Sequence, residues 1–179
     1  MRNYAKTIFL VTTTASIVAL IAFSNSGMAQ DTDDLSDQIA VIQQIGPKGK
    51  GNKAASVAWK EIVKHDASAI TSVLAGMDGA NVLAINWLRA AVDTIAERTI
   101  NNGDELPVDD IQEFLLDTAH HPRARRSAYE WLIKVDENAK ARLISEFVND
   151  PSMELRRDAI AHLISNAEKS LAGGEKEAA

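Results

Sequence analysis

No cysteine occurs anywhere in the 179 residues. Thiol catalysis, Cys-ligated zinc, iron–sulfur clusters and covalent c-type haem are therefore excluded. So are disulfides, which leaves core packing alone to hold the fold together. Aromatic residues are scarce, with three Trp, two Tyr and four Phe. Trp59, Trp87 and Trp131 each lie on an apolar helical face, so core packing is their expected role rather than a ligand platform. There are only four prolines, and all of them (Pro47, Pro107, Pro122 and Pro151) fall at expected helix boundaries. No stretch sustains a period-2 apolar alternation, which argues against a sheet. Neither a Gly-x-Ser-x-Gly elbow nor a His-Glu-x-x-His pair is present, so two common hydrolytic arrangements are missing. No dense basic stripe exists either. Phosphate affinity depends on clustered Lys and Arg, so nucleic acid is not an expected partner.

Residues 1–29 have the layout of a secretory signal. Arg2 and Lys6 form a basic start, 8–23 is apolar apart from threonines and one serine, and Gly27-Met28-Ala29 ends on a small residue. Cleavage after Ala29 is expected, placing the protein in the bacterial periplasm or outside the cell. The alternative is an uncleaved anchor. It is disfavoured because Thr12, Thr13, Thr14 and Ser16 interrupt the run, and a spanning helix needs about 20 apolar residues. No Cys near Ala29 offers a lipid-attachment site, and the absence of a twin arginine favours the general export route. Removing Arg2 and Lys6 leaves 17 basic against 25 acidic residues, a net charge of −8.

Residues 30–52 form an acidic lead-in, a first helix and a flexible Gly/Lys turn. Leu35, Ile39, Ile42 and Ile45 recur at helical spacing, and Gly46-Pro47 stops the run. Gly46-x4-Gly51 has the spacing of a phosphate loop. However, Asn52-Lys53 follows where Lys and then Ser or Thr are required, and a helix precedes it rather than a strand. A linker is the expected role. Further helices are predicted over 54–64, from Asp66 to Met77, 82–99, from Pro107 to 118, 122–135, 138–148 and 151–171. Gly76, Gly79 and Asn81 are expected to loosen the turn before the fourth helix. Residues 53–171 make up the helical domain and 172–179 a tail.

Within this domain the sequence repeats itself. Ile111-x-x-Phe114-Leu115-x-Asp117, Pro122 and Arg125-Arg126-x-Ala128-Tyr129-x-Trp131-Leu132 form one copy. Ile144-x-x-Phe147-Val148-x-Asp150, Pro151 and Arg156-Arg157-x-Ala159-Ile160-x-His162-Leu163 form the next. The first halves are offset by 33 residues (Ile111 to Ile144) and the second by 31 (Arg125 to Arg156). A degenerate copy lies upstream, with Ile70-x-x-Val73-Leu74, Asp78 and Ala84-Ile85-x-Trp87-Leu88 but no Arg-Arg pair. Two helical patterns per unit at this period mark an α-helical repeat array.

With the inter-helix Asp117 and Asp150, and the arginines of the following helices, the chain resembles the HEAT-repeat family. That resemblance covers 111–167 well and 67–99 more loosely. It implies an all-α fold: a short right-handed α-solenoid of antiparallel helix hairpins.

Arg123, Arg125, Arg126, Arg156 and Arg157 are the most conspicuous polar group. One reading is a clamp for an anionic partner, since Arg offers paired donors. The other is a structural ladder in which one Arg of each pair turns back to Asp117 or Asp150 and bonds the carbonyls of that turn. Recurrence at matching repeat positions favours the ladder, with Arg123, outside the pair, left for a partner. His120-His121 reads as a capped exposed loop, because a metal needs three or four converging ligands. His162 takes the place of Trp87 and Trp131 and is expected to pack. Glu105, Asp109, Asp110 and Glu113 suit a positive helix N-terminus.

These readings predict a non-enzymatic protein with no cofactor, no metal and no catalytic residues. It would be an interaction module or scaffold for an unknown protein partner at the cell envelope. The alternative is an N-terminal accessory domain, or a fragment, of a larger exported enzyme. A small-ligand site in the turn from His120 to Arg126 is a third possibility.

Overall fold

The computed structural model describes residues 34–172, so the expected signal segment and most of the tail lie outside the described residues. The chain divides into two compact units between Ser36 and Asp37. Of the first unit, only 34–36 are described, and they are helical. The second is all-helical, with no strand among the described residues.

Helix α1 covers 34–43. A 3-10 turn, Pro47–Gly49, leads to α2, Asn52–Ile62. The turn needs left-handed backbone at Lys48, Gly49 and Gly51 (φ 58°, 80° and 82°), which glycine supplies without strain at two of the three. Asp66 caps the next segment by accepting from the Ser68 N–H at 2.9 Å. There a 3-10 turn, Ala67–Ala69, runs straight into α3, Ile70–Ala75.

Asn81 caps α4, Val82–Asn101, by accepting from the Leu83 and Ala84 N–H groups. Ala84, Leu88, Ala91, Val92 and Ile95 are fully buried along one face of α4, as their spacing predicts. α5, Val108–Leu116, and α6, Pro122–Val135, pack against each other, and Ile111, Leu115, Ala128 and Leu132 on them are buried.

The predicted helix over 138–148 is instead α7, Ala139–Leu143, continued by a 3-10 turn, Ile144–Phe147. A 3-10 turn brings side chains three apart into line, so Ile144 and Phe147 both face the core, at 3% and 1% exposure. The last helix, α8, is Met153–Ala172.

Three helix pairs follow one another: α3 with α4, α5 with α6, and α7 and its 3-10 turn with α8. First helices touch first helices (α3 on α5), and second helices touch second helices (α4 on α6, α6 on α8).

Gly76 is not the loose joint that the sequence suggests. Its backbone is ordinary helix, at φ −59°. What requires glycine is space: a Cβ there would lie 2.5 Å from Cγ2 of Ile39. α1 approaches the end of α3 this closely, and Gln43 donates to the Gly76 carbonyl at 2.8 Å.

Candidate functional site

The repeated arginines do not behave alike. Arg125 is buried, with 1% exposure. It does not turn back to Asp117. Its Nε donates to the Leu115 carbonyl at 2.7 Å, and its two Nη atoms reach forward to both carboxylate oxygens of Asp150, at 2.9 and 2.6 Å. The ladder thus joins one helix pair to the next, and the Leu115 bond also ties α6 back to the end of α5 in its own pair. Asp150 also accepts from the Ser152 N–H at 2.7 Å.

With the Asp150 carboxylate engaged, Arg156 reaches only the Asp150 carbonyl, at 2.8 Å. Among the described residues Asp117 receives no arginine; the residue one pair earlier at the Arg125 position is Asn81. Asn81 donates instead to the Ile45 carbonyl at 2.8 Å. Burial removes Arg125 from the candidate partner contacts, and Asp117 leaves the ladder.

Arg126 belongs to a second network that the repeat pattern did not reveal. Its Nε donates to Glu130 at 2.9 Å and its Nη1 to Asp158 of α8, while Arg89 of α4 donates to Glu130 at 2.5 Å. Four charges thereby join α4, α6 and α8. Burial opposes the Arg126 charge, but hydrogen bonds to Asp158 and Glu130 outweigh it and raise the guanidinium pKa above its ordinary value. Arg126 and Glu130 stand four apart, a spacing legible in the sequence. Arg89 and Asp158 enter only through the packing of neighbouring helices.

His120, His121, Asp117 and Arg123 do not converge. His120 stacks on Phe114 with ring centres 3.9 Å apart, and its Nδ1 lies 2.7 Å from Asp78. The His121 backbone N–H also donates to Asp78, at 2.6 Å, while the His121 ring caps α6 by accepting from the Arg123 N–H. Asp117 is 3.8 Å from His120 Nε2. Arg123 is exposed and lines a different hollow, with Met77, Asn86 and Glu154. Asp78, the aspartate of the degenerate upstream copy, is the shared acceptor. No group of three or more metal-ligating side chains occurs among the described residues.

An open cleft of about 690 Å³ lies between α6, α7 and α8. Tyr129, Ile133 and Ile144 supply apolar wall. His162 and Ser165 line the α8 side, and the exposed Lys140 and Lys169 add positive charge. Tyr129 packs edge-on against Phe147, with ring centres 5.5 Å apart. Its hydroxyl is buried without a protein hydrogen-bond partner. Burial, and then the nearby Asp158 charge, push the phenol above its ordinary pKa, which keeps it neutral. His162 Nε2 lies 3.0 Å from the side-chain amide nitrogen of Asn166. Trp131 is 6% exposed, and its ring N–H donates to Asp93 at 2.9 Å. Comparison with protein-family models, curated proteins and solved structures finds no match.

Proposed function

We propose that this chain is an exported, non-enzymatic helical-repeat protein that binds a protein partner at the cell envelope. In this reading its three helix pairs are successive turns of a short HEAT-like α-solenoid. Support comes from the sequence repeat, from contacts between successive first helices and successive second helices, and from the Arg125–Asp150 tie between pairs.

One observation carries the binding role: the cleft between α6, α7 and α8, with apolar walls and a charged lining in which Arg126, Lys140 and Lys169 outnumber Glu137 and Asp158. Concave faces of this kind are where repeat proteins hold partners. An apolar segment with acidic side chains is the complementary occupant.

The test is affinity capture from envelope extract with the protein and with its Ala141→Arg variant. Ala141 is exposed and lines the cleft, so arginine obstructs the cleft without disturbing the core. A stoichiometric partner retained by the protein and lost by the variant supports the proposal. A partner held equally by both, or none, removes the cleft from it.

A further inference from the structure

We infer that the outer face of α8 is a self-association surface, on which α8 of a second copy lies antiparallel. This does not depend on the partner or the cleft proposed above. Of the eleven large apolar side chains exposed among the described residues, five belong to this one helix: Met153, Ile160, Leu163, Ile164 and Leu171.

The repeat explains what is uncovered. On α6, Arg125 and Arg126 reach Asp150 and Asp158, and Tyr129 packs on Phe147. Every one of those contacts is with the next helix pair. The same repeat positions on α8 are Arg156, Arg157 and Ile160. Among the described residues no further pair meets them. Ile160 is 44% exposed, and the Arg157 side chain, 75% exposed, has only a 3.8 Å contact with Asp158.

The spacing of this face favours a second copy over an unrelated occupant. Met153, Arg157, Ile160, Ile164, Ala167 and Leu171 alternate steps of four and three, the seam pattern of paired helices. The seam is self-complementary about a two-fold axis at position 162. Met153 then faces Leu171 of the second copy, Ile160 faces Ile164, and the long Arg157 faces the small Ala167, next to Glu168. A parallel arrangement would instead set Arg157 against Arg157 and Glu168 against Glu168, which repel. The antiparallel arrangement is isologous and closes at two copies, so it does not propagate into a filament.

The test uses the protein as the cell processes it. Sedimentation equilibrium should show a monomer–dimer equilibrium. I160E/I164E should weaken the dimer by more than about tenfold with helicity unchanged, because both side chains are solvent-facing. R157E and E168R should each weaken it, and the double variant should restore it. Because the chain has no native cysteine, the register can be read directly. M153C mixed with L171C should form a disulfide-linked dimer. M153C alone should not, because its two copies would lie about 27 Å apart along the helices at 1.5 Å per residue. A protein monomeric at all concentrations, a dimer indifferent to I160E/I164E, or cross-linking of M153C with itself would each overturn the inference. So would binding of a different protein to this face in place of a second copy.

Discussion

Arg125 and Asp150 form a two-pronged ion pair, with the arginine on α6 and the aspartate in the turn before α8, and both side chains are almost fully buried (1% and 4% exposed). The backbone carbonyl of Leu115 and the N–H of Ser152 complete their hydrogen bonding. Removing either partner leaves a buried charge without its counterion. Asp150→Ala should therefore cost about 3–5 kcal/mol, roughly a 10 °C fall in melting temperature for a chain of this length. Arg156→Ala, which loses a single hydrogen bond to a carbonyl, should cost only about 1 kcal/mol. Thermal melts of the two variants decide it. Equal falls would mean that the buried ion pair contributes no more than the single hydrogen bond of Arg156.

Gly76 tests the close approach of α1 to the end of α3. Gly76→Ala adds one methyl group against Ile39 and should destabilise by about 1–3 kcal/mol through overpacking, although alanine is the better helix former. Ile39→Leu in the same chain should recover part of that loss, because leucine lacks the Cγ2 branch that the new methyl meets. A double-mutant cycle by urea denaturation measures the coupling. Strict additivity would show that α1 does not press on α3 at this point.

Tyr129→Phe removes a buried hydroxyl that has no protein hydrogen-bond partner while keeping the edge contact with Phe147. Stability should be unchanged or should rise by up to about 1 kcal/mol. Tyr129→Ala, which loses the ring as well, should cost about 3–5 kcal/mol. Chemical denaturation of both variants separates the ring from the hydroxyl. A clear loss with phenylalanine would reveal that the hydroxyl is bonded.

Hydrogen bonds from the Ser68 hydroxyl and N–H hold the Asp66 carboxyl below its ordinary pKa. A carboxylate whose folded pKa is depressed contributes its stabilisation above the unfolded pKa and loses it as pH falls through the folded value. Asp66→Ala should thus lower stability by about 1 kcal/mol at neutral pH, a typical capping loss. The difference between variant and parent should shrink below about pH 4, where the unfolded carboxyl protonates. Melting curves from pH 7 to pH 2 measure it. A gap independent of pH would assign the effect to something other than the charged cap.

Much of the helical framework could be read locally. Asp66 caps the segment it precedes, Pro122 opens α6, and the stripe Ala84-Leu88-Ala91-Val92-Ile95 is buried as its period requires. These features depend on neighbouring backbone and on one face of one helix, so the sequence by itself determines them. It also determines the repeat, because matching side chains recur at matching intervals.

The candidate surfaces are another matter. Arg125 and Arg156 occupy one motif position in near-identical local sequence. One is buried against an aspartate and the other is half-buried on a carbonyl. What separates them is a third helix pair covering α6, with no equivalent over α8 among the described residues. Gly76 likewise reads as a hinge until Ile39 is found against it. The cleft walls come from α6, α7 and α8 together. Burial, ion pairing and concavity arise between elements distant in the chain, so only the tertiary structure decides which arginine is core and which apolar face remains open.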